Sequence, residues 1–234
     1  MASKTKKNGK EQKMKKQITI AAAVVLCFCV VAILIAVFVN SKENGDENDH
    51  VSDSDTGEEN MQKKDSIDGS GCYADIEIQD YGTITVQLDQ ESAPITTENF
   101  INLAESGFYD GLTFHRIMEG FMMQGGDPEG TGMGGSDQTI VGEFSANGYD
   151  NDLSHTRGAI SMARSNDYDS ASSQFFIVHQ DSTFLDGQYA VFGYVTEGIE
   201  IVDQICESAE PTDNNGTIPA DQQPIITKVT IRAE

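Results

Sequence analysis

Between Phe114 and Asp127 the chain reads FHRIMEGFMMQGGD, which holds one arginine, one glutamine, two phenylalanines and three methionines. On an extended backbone successive side chains alternate between faces, so Arg116, Met122 and Gln124 share one face. Phe121 reaches the same side only through a bend, and Gly120 supplies a place for it. The chemistry on offer is that of an apolar patch beside a fixed cation. Such a patch suits a greasy ligand that carries a weakly basic or carbonyl group.

Other reactive groups give weaker signals. There is no G-x-S-x-G elbow for a nucleophilic serine. Of four histidines, His50 lies in a polar segment, and His115, His155 and His179 remain. A Ser/His/Asp triad assembles from distant positions, and nothing in the pattern favours one. Carboxylates are too abundant for a catalytic pair to stand out. Cys27 and Cys29 lie in an apolar run, where thiols act as small hydrophobes. Cys72 and Cys206 could pair in an oxidising compartment, but sequence does not show their distance. No CxxC or HxxxH spacing occurs outside the apolar run, so a metal is not expected. Gly125 to Gly135, GGDPEGTGMGG, lacks the GK[ST] ending of a phosphate loop and carries Asp127 and Glu129, which repel phosphate. It reads as a flexible surface loop.

Short elements must position these groups. Ile76 and Ile78 alternate with acids, Asp80-Tyr81-Gly82 turns the chain, and Ile84, Val86 and Leu88 alternate with polar residues. This pattern predicts a hairpin with one buried face. Thr96 to Glu105 reads as a helix with Gly107 past its end. Strands are expected at Gly158 to Ala163, Gln174 to His179 and Ala190 to Val195. A second helix is expected around Ile199, Val202, Ile205 and Cys206, and a last strand around Ile225, Val229 and Ile231. Many short strands with two helices fit a closed antiparallel barrel, since closure removes exposed edges.

The charge is unevenly distributed. Net charge is -23 over 234 residues, yet the first 17 residues hold seven lysines and one acid. A body that acidic repels nucleic acid and anionic headgroups, so no nucleic acid partner is expected. Ile18 to Val39 is 22 residues without a charge. At about 1.5 Å per residue it crosses a hydrocarbon core of about 30 Å. The run exceeds the apolar core of a cleaved signal peptide, and Asn40-Ser41-Lys42 is a poor cleavage site. Leu26 and Phe28 precede the two cysteines of the run, which argues against lipidation there. The reading is a signal anchor in the bilayer at 18–39, with a basic cytoplasmic tail at 1–17 and everything later outside by the positive-inside rule. Residues 40–70 hold ten acids, three lysines and no aromatic residue, so they form an acidic disordered linker. The folded domain is expected at 71–234.

Four motifs in order, FHRIMEGFMMQGGD, GAISMAR, SQFFI and FLDGQYAVFG, resemble the cyclophilin family of peptidyl-prolyl cis/trans isomerases, bacterial members in particular. The resemblance runs from about Tyr73 to the C-terminus. It implies a mainly β fold: an eight-stranded antiparallel barrel, closed and capped by two helices; the one transmembrane helix read at 18–39 precedes it and lies outside the resemblance. It implies a catalytic guanidinium at Arg116, with Gln124 orienting it and the substrate. Phe121, Met122, Phe176 and Leu185 would line a proline pocket, with Phe184 and Tyr189 as further aromatic contacts. Ala163, Arg164 and Gln174 would bind the substrate backbone. No cofactor is implied.

Three positions depart from the family pattern. Phe184 stands where many members have tryptophan, so cyclosporin binding is expected to be weakened while activity is kept. Tyr189 replaces a histidine and Arg164 an asparagine. The partners implied are proline-containing polypeptides, among them exported unfolded proteins. Two rival functions are a proline-peptide binding module or chaperone without turnover, and a secreted hydrolase. Phe121, Phe176 and Leu185 could also be plain core residues. Arg116 between apolar neighbours resists that explanation, because a buried unpaired charge is costly.

Overall fold

The structure is a computed structural model and describes residues 71–233. The basic tail, the apolar run at 18–39 and the acidic segment at 40–70 lie outside the described residues. Among the described residues no helix is long and apolar enough to cross a membrane.

Eight strands form one antiparallel sheet. They are β1 Cys72–Ile78, β2 Gly82–Leu88, β3 Thr113–Met118, β4 Met122–Asp127, β5 Ala159–Met162, β6 Phe175–Val178, β7 Val191–Glu197 and β8 Ile226–Ala233. Two helices, α1 Pro94–Glu105 and α2 Ile199–Ser208, complete the fold. The order across the sheet is β3-β4-β6-β5-β7-β2-β1-β8. The expected first hairpin is present, with Ile76 opposite Ile84.

The closed barrel expected from the sequence is not formed. No ladder joins the outer strands β3 and β8; their near ends meet through the isolated bridge Thr113–Ile225 and the bonds of Ile226 with Gly111 and Leu112. The reason is the chain just before β8. Ile117 N–H donates to Gly216 O, Ile218 N–H to His115 O, and Phe114 N–H to Pro224 O. This irregular segment occupies the edge that β8 would need. Pro219 and Pro224 cannot donate to a ladder, so it cannot become a regular strand. The edge is covered without closure, which still protects it from stray pairing.

The strands bury both faces where the site forms. Along β6, Phe175 and Ile177 enter the main core, while Phe176 and Val178 join a smaller cluster with Met122, Ala159 and Val191. A continuous apolar run is what period-two alternation looks like when both faces are covered. In the main core Phe100, Tyr109, Phe114 and Phe175 pack edge-on or tilted, with centroids 5.1–5.9 Å apart. Cys72 and Cys206 are both buried free thiols. Burial raises the pKa of each, that of Cys206 to about 12.

Helix α1 starts two residues before the expected Thr96. Pro94 sits at its first turn, where a missing N–H costs nothing. Ala93 at the N-cap offers no side-chain acceptor. Glu143 fills that role from far along the chain, its carboxylate accepting from Ile95 N–H at 3.1 Å and Thr96 N–H at 2.7 Å. Glu143 is itself buried. Its negative charge also suits the positive end of the helix dipole. Glu143→Ala is expected to lower unfolding free energy by about 1–3 kcal/mol in urea titration, with Glu143→Gln losing less. An unchanged midpoint for the alanine variant would show that the cap contributes nothing.

Candidate active site

The hairpin of β3 and β4 places Arg116 directly opposite Gln124. The alternation read from the sequence is broken inside β3. The register shifts between Phe114 and Arg116, so His115 is the extra residue of a bulge. The bulge re-aims the strand, with Phe114 in the core and Arg116 toward the cleft. At the tip, Phe121 N–H donates to Met118 O at 3.0 Å and Gly120 has φ +76. This is the bend that brings Phe121 to the side of Met122. Gly125 is required for packing, since a Cβ there would lie 2.7 Å from Thr113 O.

A cleft of about 440 Å³ opens on this face. Arg116, Phe121, Met122, Gln124, Ala163, Arg164, Phe176, Leu185 and Tyr189 all line it. Two residues expected there lie elsewhere. Gln174 lines an adjoining cavity of about 470 Å³, which shares Gln124, Gly132, Met133, Ala163 and Arg164 with the first. Phe184 lines neither; it is 67% exposed and leans on Phe121 at the rim, 5.7 Å between centroids.

The guanidinium is held on several sides. Arg116 Nε–H donates to Asn215 O at 2.8 Å, one terminal nitrogen to Gln124 Oε1 at 3.1 Å and the other to Met118 Sδ at 3.4 Å. Its carbon lies 5.9 Å from the centre of the Phe121 ring. Burial lowers its pKa, opposed by Tyr189 and Asp213. An arginine keeps its charge at neutral pH through such a shift. Gln124 Nε2 donates to Gln174 Oε1 at 2.9 Å, and Gln174 Nε2 to Gly134 O at 2.7 Å. Gln174 therefore orients Gln124. Ala163 N–H is also committed, to Gln174 O at 2.9 Å, so its carbonyl is the group it can offer.

Arg164 lines the cleft while its guanidinium is engaged at the rim. It donates to Gln188 O and Ser165 O and lies 4.6–5.1 Å from the rings of Tyr189, Tyr168 and Phe144. Tyr189 is thus braced from outside as it meets Phe176 edge-on at 6.0 Å. Behind Phe176 the fully buried His155 ring stacks at 5.9 Å and 14°. Its Nδ1 contacts Asp186 Oδ1 at 2.8 Å and its Nε2 contacts Ser161 Oγ at 3.1 Å. The order is that of a hydrolase triad. However, Ser161 is wholly buried and cannot meet a substrate, so the three support the pocket floor.

The glycine loop read as a flexible surface segment proves to be a wall of the cleft, through Gly130, Thr131, Gly132 and Met133. Asp127 holds it, accepting from the backbone N–H groups of Glu129, Thr131 and Gly132. Burial opposes ionisation of Asp127, but these bonds prevail and its pKa is lowered. The Asp-Pro-x-Gly turn signature was the available clue. Asn215, Thr217 and His115 also line the cleft. No local signal points to Asn215, which comes 99 residues after Arg116.

Sheet order, helices and cleft together define a cyclophilin-like domain. Residues 73–232 match the family model described as cyclophilin type peptidyl-prolyl cis-trans isomerase/CLD. The chain is 48% identical over 123 residues to peptidyl-prolyl cis-trans isomerase B of Bacillus subtilis, covering 53% of this chain and 82% of that one. It is 45% identical over 140 residues to peptidyl-prolyl cis-trans isomerase A of Dickeya dadantii, covering 58% and 70%. A crystal structure of a cyclophilin type isomerase from Cryptosporidium parvum in the presence of the dipeptide Ala-Pro aligns with TM-score 0.60 and 29% identity, covering 69% and 99%. The chain belongs to the cyclophilin-type peptidyl-prolyl cis-trans isomerase family, and it is an enzyme of that kind.

Burial lowers the pKa of His115, with Asp127 opposing and Arg116 assisting. Burial also lowers that of His155, against its bond to Asp186. Both rings bind a proton more readily in the unfolded chain, where the ordinary value is 6.5. Their stabilisation is therefore whole above that value and is lost as pH falls toward the lower folded-state values. The thermal midpoint is expected to drop between about pH 7 and about pH 5.5, and His155→Asn is expected to flatten that drop. An equally steep slope in the variant would remove His155 from the account.

Proposed function

We propose that the enzyme accelerates rotation about X-Pro bonds by donating from Arg116 to the twisted amide. The observation that carries this reading is a half-buried guanidinium fixed at the rim of the Phe121, Met122 and Phe176 cleft. Rotation about the amide is opposed by a barrier of about 18–20 kcal/mol, because the nitrogen lone pair is delocalised into the carbonyl. Uncatalysed X-Pro exchange takes roughly tens to hundreds of seconds. At the half-rotated state the lone pair returns to nitrogen and becomes an acceptor. Protein acceptors occupy Nε–H and one N–H on each terminal nitrogen, which leaves the second N–H of each for a substrate. A donor that meets the twisted amide and not the flat one lowers the barrier by differential binding. The apolar slot grips the proline ring while Gln124 keeps the guanidinium in place. Ala-Pro dipeptide, present with the Cryptosporidium parvum relative, is the minimal ligand of the class this slot would take.

Proline-containing polypeptides are the substrates in this reading, and exported unfolded proteins are the clients. The uncharged run at 18–39, seven lysines before it and acids after it support an anchored enzyme with its catalytic domain outside the cytoplasm. The same polarity argues for anionic lipid contact at the tail alone. Cyclosporin would bind weakly, because Phe184 covers less of the rim.

Arg116→Ala is expected to cut kcat/KM on a proline tetrapeptide by about 100–1000-fold, with circular dichroism unchanged. Retained peptide binding by that variant would separate turnover from mere capture. Full activity would end the proposed mechanism. The full chain is expected in the membrane fraction after alkaline extraction, and a chain lacking residues 18–39 in the soluble one. Release of the full chain by alkali would refute the anchor.

A further inference from the structure

His179 is the histidine that the cleft does not use. It follows β6, is 3% exposed and stands behind the β3–β4 turn. Gly120 N–H donates to its Nδ1 at 2.9 Å. Its own backbone N–H donates to Phe121 O at 2.8 Å, and Gln180 N–H reaches the same oxygen at 3.4 Å. A ring nitrogen that accepts carries no proton, so the neutral ring bears its proton on Nε2. That nitrogen faces Asp203 Oδ1 of α2 at 3.2 Å. Asp203 is in turn gripped by both terminal nitrogens of Arg157, at 2.6 and 2.7 Å. Arg157 also donates to His179 O at 2.9 Å.

We propose that His179 is a positioning residue for the isomerase reaction, setting the Phe121 wall of the cleft from behind and tying it to α2 through Asp203. The inference rests on the reading of the cleft given above. Gly120 is exposed and has φ +76, so the turn has little packing of its own to hold it. Beyond the strands, its internal bond is Phe121 N–H to Met118 O. Backbone N–H groups of His179 and Gln180 hold Phe121 O from outside, and the imidazole adds the side-chain grip on Gly120. Loss of that grip lets Phe121 shift and loosens the hold on the proline ring. Arg116 touches the turn through Met118 Sδ and the Phe121 ring, but its bonds to Asn215 O and Gln124 lie outside it, and His179 touches neither partner. The chemical step should therefore survive while substrate capture weakens. This split between KM and kcat distinguishes positioning from catalysis.

Two polar substitutions in the full chain test this. The Oδ1 of His179→Asn overlays Nδ1 and can accept from Gly120 N–H. The side-chain oxygen of His179→Gln overlays Nε2 and cannot. His179→Gln is expected to raise KM on a proline tetrapeptide about tenfold, with kcat within about twofold, and His179→Asn to stay within about twofold of the parent in both. Equal KM values for the two variants would overturn the proposal. A tenfold loss of kcat at unchanged KM would do the same. Amide hydrogen exchange in the unsubstituted chain gives a reading that needs no variant to fold. Gly120 N–H is expected to be protected despite its exposed turn, and fast exchange would refute the bond. Arg116→Ala, run in parallel on the same peptide, reports on the cleft itself, so a failed mechanism and a failed brace give different patterns.

Discussion

The structure turns on keeping a charged guanidinium half out of water beside an apolar slot. An unpaired charge there would be strongly destabilising. Arg116 meets this with one backbone carbonyl, one side-chain amide, one thioether and one aromatic face. Each partner lies on a different part of the chain. Asn215 belongs to the segment that covers the edge of β3, Gln124 to the neighbouring strand and Phe121 to the turn between them. The amide relay from Gln124 through Gln174 to Gly134 O extends the arrangement into the adjoining cavity. Fixed hydrogen bonds of this kind act in a low-dielectric setting and need no reorganisation when the substrate twists.

The sheet serves as core and site at once. Phe175 and Phe176 are neighbours in sequence, yet one packs against Phe100 and the other floors the cleft. Strands used on both faces leave little freedom for adjustment, because a change in the core moves the backbone that carries the site. Loops and turns complete the walls, and each is tied down by a buried polar group. Asp127 holds the glycine loop, the His155–Asp186 pair supports Phe176, and Glu143 fastens α1. Carboxylates abundant enough to look interchangeable in the sequence thus divide sharply. Most are solvated charge, and a few organise the backbone.

Much of this was legible in the residues. Period-two alternation located the first hairpin and short apolar runs located β5 and β6 to within a residue or two, because burial of one face or of both leaves a different trace. Proline moved the start of α1, since its backbone suits a first turn that periodicity alone does not reveal. The bulge at His115 was invisible, as an extra residue changes no composition. The glycine loop was misread for a related reason. Its order comes from one carboxylate, and glycine content alone suggests the opposite. Barrel closure was the plausible way to remove edges, but a covering segment with prolines achieved the same end.

By itself the sequence determined which chemistry was available: a permanent cation, an amide and several large apolar groups within one hairpin. Short-range spacing suffices there, because a two-stranded hairpin brings Arg116 opposite Gln124 through local geometry. Only the tertiary structure decided how that cation is held and what shape of slot it serves. Asn215 O, Gln174, the Asp127-bound loop and His179 reach the site from distant points of the chain. Contacts over such separations are chosen by packing of the whole sheet, and they leave no periodic mark on the residues that make them.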